Sequence, residues 1–204
     1  MSEEVIGQEN FSNPEDAKTV QRTMPADHVV GIYNLLESHG IKIWVDGGWG
    51  VDALLEEQTR EHGDLDIAIQ ERDLYQMREL LGERGYHDKG EQHARPWNFI
   101  IQDQSGHEID VHAINLDIAG NGIYGPEENG VMYPASSLTG IGSIAGRPVC
   151  CICPDDMVKF HSGYELAESD FHDVLALCEK FGIEVPARVP QIDPAEGLSK
   201  ASTR

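Results

Sequence analysis

Apolar positions recur at helical spacing over residues 26–39, where Val29, Val30, Ile32, Tyr33, Leu35 and Leu36 share one face and Gly40 supplies a stop. Residues 42–45 (KIWV) read as a short strand ending at Asp46, and the pair Gly47-Gly48 follows. Trp49, Val51, Leu54 and Leu55 then predict a helix that begins at the glycine turn and runs to about residue 56. Strict alternation in DLDIAI predicts a strand over 64–69, with Leu65, Ile67 and Ile69 on the buried face and Asp64 and Asp66 on the other. Residues 72–84 read as a helix closed by Gly85. Two strands, 97–103 and 108–114, are joined by the hairpin signal Gln104-Ser105-Gly106. Residues 115–130, rich in Asn and Gly, read as a loop, and 141–144 with 147–153 as a second hairpin about Ala145-Gly146. After Pro154 the segment DDMVKFHSGYEL reads as helical, and a last helix spans 169–181 with Ser169 as its N-cap.

This order of elements predicts an α+β domain: a small mixed sheet with flanking helices and further helices at its C-terminal end. Residues 1–24 are polar and broken by Pro14, and residues 187–204 are polar and punctuated by proline, so both are expected to be flexible tails around one domain over 25–186. No internal repeat is present.

Asp64 and Asp66 project from one strand face beside a paired-glycine turn. Two carboxylates there repel each other unless cations lie between them, and Mg²⁺ takes one or two carboxylates plus substrate phosphates. Two such ions about 4 Å apart stabilise both the attacking and the leaving oxygen of a displacement at phosphorus. Gly47 and Gly48 would let the backbone approach a phosphate, the following helix would face it with its N-terminus, and Arg60 would add a fixed positive charge. On the later strand Glu108, Asp110 and His112 share a face. Asp110 is therefore either a third metal ligand or the general base for an acceptor hydroxyl. Glu108 is a second candidate base or a contact to a substrate amine, and His112 a hydrogen-bonding neighbour of the site.

With 15 basic and 36 acidic residues the chain carries a net charge of −21. Such a chain is poorly suited to gripping a nucleic-acid backbone, which needs clustered Lys and Arg. A cationic small molecule would be attracted instead, although the same acidity also serves solubility. No stretch is apolar enough to span a membrane, and the acidic start MSEEVIGQEN lacks the apolar core of a secretory signal, so a cytoplasmic location is expected. Cys150, Cys151 and Cys153 crowd one apolar strand, with Cys178 apart; all four are expected to be free, buried thiols rather than a zinc site. Trp49 and Trp97 are assigned to core packing ahead of stacking on a flat ligand.

The segments GGWGVD, TREHGDLD, EIDVHAIN and FHSGYEL resemble the small antibiotic nucleotidyltransferases of the DNA polymerase beta superfamily, from about residue 29 to residue 181. The wording is nearest the lincosamide nucleotidyltransferase type, with aminoglycoside 2″-nucleotidyltransferases as relatives. The resemblance implies a polymerase beta-like nucleotidyltransferase fold and transfer of AMP, or another nucleoside monophosphate, from Mg²⁺-bound ATP or another nucleoside triphosphate to a hydroxyl of a lincosamide such as lincomycin or clindamycin. It implies two Mg²⁺ ions, one on Asp64, Asp66 and Asp110 and one on Asp64 and Asp66. It also puts His161, Tyr164 and Glu165 near the cleft, with Lys159 available to a phosphate. By analogy with small enzymes of this kind, a homodimer is expected. The competing expectations are an aminoglycoside acceptor, a tRNA or protein acceptor, and a non-catalytic nucleotide-binding module; a basic groove would mark the tRNA case and a missing carboxylate the last.

Overall fold

The computed structural model describes residues 23–90, 94–162 and 167–187. Among the described residues five α-helices and nine strands follow one another in an α+β arrangement. The first half runs α1 (Ala26–Ser38), β1 (Ile43–Asp46), α2 (Gly47–Leu55), β2 (Asp64–Gln70), α3 (Leu74–Gly82), β3 (His87–Asp88) and β4 (Asn98–Gln102). The second half runs β5 (Glu108–Leu116), β6 (Gly122–Tyr124), β7 (Val131–Tyr133), β8 (Gly140–Ile144), β9 (Arg147–Cys151), α4 (Pro154–His161) and α5 (Glu168–Phe181).

The sheet is mixed and larger than expected, ordered β3-β4-β5-β2-β1-β9-β8, with β6 beside β5 and β7 beside β6. At its centre β1 pairs antiparallel with β2, and β2 pairs parallel with β5. All four residues of β1 are buried, so both faces of the sheet are covered there. The alternation read from DLDIAI holds: Leu65, Ile67 and Ile69 are at most 1% exposed, and each fully buried side chain of this size contributes about 1.5–3 kcal/mol. The second strand repeats the pattern, with Ile109 and Val111 buried between Glu108, Asp110 and His112. Helix α2 packs on β8, β2 and β1, and α4 and α5 pack on α2. The whole C-terminal unit therefore rests on the element that starts at the glycine pair.

Four expectations need correction. The segment 115–130 is not all loop: β5 continues to Leu116 and β6 occupies Gly122–Tyr124, pairing Ile114 with Tyr124. Glycine and asparagine hide a strand whose stability comes from pairing rather than from its own propensity. Ser169 is not the cap of α5; Ala167 holds that position, and the Asp170 carboxylate accepts its N–H at 2.8 Å. Met24 is not part of a tail: it is 1% exposed, its N–H donates to the His62 carbonyl at 2.7 Å, and its own carbonyl accepts from Trp49 Nε1 at 3.2 Å. Finally, α4 ends at His161; Tyr164 and Glu165 lie outside the described residues, as do residues 1–22 and 188–204 of the expected tails.

The four cysteines are free, with Cys151 and Cys178 buried and Cys150 and Cys153 half-buried. Trp49 is a core residue, whereas Trp97 is only half-buried. No helix among the described residues is long and apolar enough to cross a membrane.

Candidate active site

Strand register assembles the acidic cluster. Asp66 on β2 lies opposite Asp110 on β5, and Asp64 lies opposite Glu108. On its other side Asp66 lies opposite Asp46, the last residue of β1. Three aspartates therefore sit abreast on three neighbouring strands. Asp46 is the member that sequence reasoning missed: it reads as the end of a strand, and only the antiparallel pairing of β1 with β2 carries it to the site.

His112 completes the group. Its Nε2 is 3.6 Å from Asp110 Oδ1 and its Nδ1 is 3.9 Å from Asp46 Oδ2. Between His112 and Asp46 stands the buried Tyr133 hydroxyl, 3.0 Å from His112 Nδ1 and donating to Asp46 Oδ2 at 3.1 Å. The chain is satisfied when His112 Nδ1–H donates to Tyr133 Oη. Asn98 Nδ2 donates to Asp110 Oδ1 at 3.1 Å and fixes that carboxylate.

The electrostatics follow from this crowding. Burial first, and then the carboxylates of Asp64 and Asp46, push the Asp66 carboxyl up to about 8. Asp64 is also pushed up, by burial and then by Asp110 and Glu108. Burial alone would lower the His112 imidazolium, but Asp110, Asp46 and Asp66 outweigh it and the net direction is up. The cluster favours positive charge at its centre. Asp66, Asp110 and His112 offer ligand atoms within 4.8 Å of one another, and their carboxylate oxygens suit a hard divalent cation. Asp64 does not belong to that triplet; it stands at the start of β2, more open to solvent than Asp66 although the neighbouring groups still desolvate its carboxyl.

A cavity of about 660 Å³ opens over this cluster and includes Asp46, Gly47, Gly48, Arg60, Asp64 and Asp66 in its wall. His112, Tyr133, Lys159, Phe160, His161 and Asp170 line it as well. The volume is that of a small-molecule site. Glu108 stands apart from it and is tied to Lys89 at 2.9 Å.

The glycine pair earns its place partly through side chains. Gly47 adopts φ +56°, and a Cβ there would run into the Asp66 carboxylate. Its N–H donates to Asp46 Oδ1 at 2.9 Å, so Asp46 caps α2 as well as facing Asp66. At Gly48 a Cβ would strike the His62 ring and come within 2.6 Å of Arg60 Nη2. Arg60 is held by Asp173 of α5, through Nη2–Oδ2 at 2.7 Å and Nε–Oδ1 at 3.3 Å. This fork makes Arg60 a fixed charge in the cavity wall rather than a free one. Lys159 is exposed and bonded to Asp156 at 2.6 Å. His161 is buried, with Nδ1 3.0 Å from the Met157 carbonyl.

Comparison with known proteins follows the same lines. Residues 28–177 match the aminoglycoside-2″-adenylyltransferase family. A lincosamide resistance protein from Staphylococcus haemolyticus is 32% identical over 143 residues, covering 70% of this chain and 88% of that protein. The lincomycin-bound structure of the lincosamide antibiotic adenylyltransferase LnuA aligns with a TM-score of 0.68 at 29% identity, over 80% of this chain and 100% of the other. The complex of ANT(2″)-Ia with adenylyl-2″-tobramycin aligns at 0.61 with 19% identity, over 77% of this chain and 89% of the other, a likeness of fold. With its carboxylates in register on the expected nucleotidyltransferase fold, the chain belongs to the aminoglycoside-2″-adenylyltransferase family of nucleotidyltransferase enzymes.

Proposed function

We propose that this enzyme transfers AMP from ATP to a hydroxyl group of a lincosamide such as lincomycin or clindamycin. The reaction rests on one observation: Asp46, Asp66 and Asp110 stand abreast on three strands, with Asp46 and Asp66 in the wall of a 660 Å³ cavity and Asp110 beside them. The choice of acceptor rests on likeness to the lincosamide resistance protein over 88% of that protein's length.

Asp110 takes the proton of the acceptor hydroxyl, since Asn98 holds its carboxylate and Glu108 is committed to Lys89. A bond forms between the hydroxyl oxygen and the α-phosphorus, the bond from that phosphorus to the bridging oxygen breaks, and pyrophosphate leaves. Two Mg²⁺ ions, held by Asp66 and Asp110 with Asp64 at the rim, would supply charge neutralisation for the triphosphate and lower the pKa of the hydroxyl. The N-terminus of α2 behind Gly48 and the fixed guanidinium of Arg60 orient the phosphates. His112 and Tyr133 hold Asp46 and Asp110 apart at fixed positions. Phe160, His161 and Met132 offer the apolar and polar wall for the acceptor, and the net charge of −21 favours an amine-bearing one. Lys159, which lines the cavity, remains a candidate contact to a phosphate, and Tyr164 and Glu165 are candidate substrate contacts by resemblance alone. The enzyme works in the cytoplasm, where ATP is at hand, as a homodimer.

Pyrophosphate release tests this. Purified enzyme with Mg²⁺ and each nucleoside triphosphate is presented with lincosamides, aminoglycosides and tRNA. Release dependent on a lincosamide and greatest with ATP supports the proposal, and release only with tRNA refutes it.

A further inference from the structure

A second cluster of ligating side chains lies away from the cavity, where α1 meets the turn between β4 and β5. His28 of α1 and Asp103 and His107 of that turn bring ligand atoms within 4.8 Å of one another, one of two such groups among the described residues. Asp103 Oδ1 is occupied by the turn, accepting the N–H groups of Ser105 at 2.8 Å and His107 at 2.9 Å. Its Oδ2 faces the histidines, 2.7 Å from His107 Nδ1 and 4.0 Å from His28 Nε2. The two imidazole rings lie against each other with centroids 4.1 Å apart. All three residues are half-buried, so the carboxylate is held in place by its backbone bonds while the group stays open to an ion.

We propose that His28, Asp103 and His107 bind a divalent ion of the Zn²⁺ class. Two imidazoles with one carboxylate are a borderline donor set, which suits Zn²⁺ and its neighbours far better than Mg²⁺. This separates the site chemically from the active-site group, which offers two carboxylates and one imidazole. The ligand–ligand separations bracket those of a tetrahedral ion with bonds of about 2.0–2.1 Å, so small ring movements suffice. Tyr86, whose hydroxyl lies 2.8 Å from His28 Nε2, gives up that hydrogen bond to the ion. The ion ties residue 28 to residues 103 and 107 across a long stretch of sequence. His107 directly precedes β5, which carries Asp110. Binding therefore braces the strand that presents the third aspartate, without touching the reacting atoms.

The test is calorimetric titration of the full chain with Zn²⁺ in saturating Mg²⁺, repeated with Co²⁺ to read the visible absorption of a nitrogen-ligated ion. One equivalent bound at micromolar or better affinity is expected, with Tm rising by about 5 °C at a hundredfold excess over Kd. His28→Gln and His107→Gln, each checked for a native circular dichroism spectrum, should weaken binding at least about tenfold and abolish the Co²⁺ band. Asp66→Asn should leave both intact. Zn²⁺ binding undiminished in the two histidine variants, lost in Asp66→Asn, or lost in Cys153→Ser overturns the proposal, as does its absence from the wild-type chain.

Discussion

Asp52 Oδ2 meets His62 Nε2 at 2.5 Å with both side chains almost wholly buried, 2% and 3% exposed. Asp52 Oδ1 also accepts from the backbone and hydroxyl of Thr59, at 3.1 and 2.7 Å. The His62 ring lies 4.6 Å from that of Trp49 and against Gly48. One buried pair thus folds residues 56–63 back over the start of α2 and aims Arg60 at Asp173. Asp52→Ala leaves His62 and Thr59 without their acceptor. It should destabilise the protein by about 2 kcal/mol or more and, through the displaced Arg60, raise KM for ATP more than it lowers kcat. Urea unfolding with steady-state kinetics measures both; unchanged KM in a folded variant would separate the pair from the site.

The carboxylates should show opposite effects on stability and on rate. Asp66 is held well above its ordinary value by burial and by Asp64 and Asp46, so at neutral pH its ionised form is disfavoured by folding. Asp66→Asn removes that repulsion. In the absence of divalent cations it should raise Tm, while turnover falls by on the order of 10²-fold or more, the scale of a lost electrostatic element. Thermal unfolding in chelator and kinetics in Mg²⁺ read the two. A lowered Tm with normal turnover would mean that the residue is merely structural.

Gly47→Ala tests the approach of the helix start to Asp66. The left-handed backbone at φ +56° costs about 1–2 kcal/mol for a residue with a Cβ, and that Cβ displaces the Asp66 carboxylate. A folded variant with kcat reduced at least about tenfold is expected; full activity would show that Asp66 has freedom to move.

Asp156 carries an acid-sensitive brace beneath Lys159. Burial pushes its carboxyl up, but hydrogen bonds from Lys159, Ser137 and Cys153 outweigh it, so the folded value lies below the ordinary 3.8. Such a group stabilises the fold above about pH 4, and the stabilisation is lost as pH falls through the lower folded value. Asp156→Asn should therefore be less stable than wild type at pH 7, with the gap narrowing towards pH 2–3. Denaturant midpoints at the two pH values check this, and a gap that is constant with pH contradicts it.

Much of this was legible in the sequence because it is local. The alternation around Asp64 and Asp66, the glycine pair and the hairpin before Glu108 each declare themselves within a few residues. What escaped is what long-range pairing creates. Asp46 joins the cluster only through strand register, Asp173 reaches Arg60 from 113 residues away, and Tyr133 comes in on a three-residue strand that has no pattern of its own. His112, read as a neighbour of the site, stands within the carboxylate group because β5 carries it two residues past Asp110. Glu108 shares that face but is drawn to Lys89 instead. Side-chain periodicity names the face, and pairing decides which members of it meet.

Mass spectrometry of the antibiotic after incubation with enzyme, ATP and Mg²⁺ bears most directly on the central claim. Lincomycin or clindamycin should gain one adenylyl group, and kanamycin and gentamicin should be recovered unmodified. Adenylylated aminoglycoside beside unmodified lincosamide would contradict the assigned acceptor while keeping the chemistry. Absence of an adduct on every small molecule would contradict the antibiotic assignment itself.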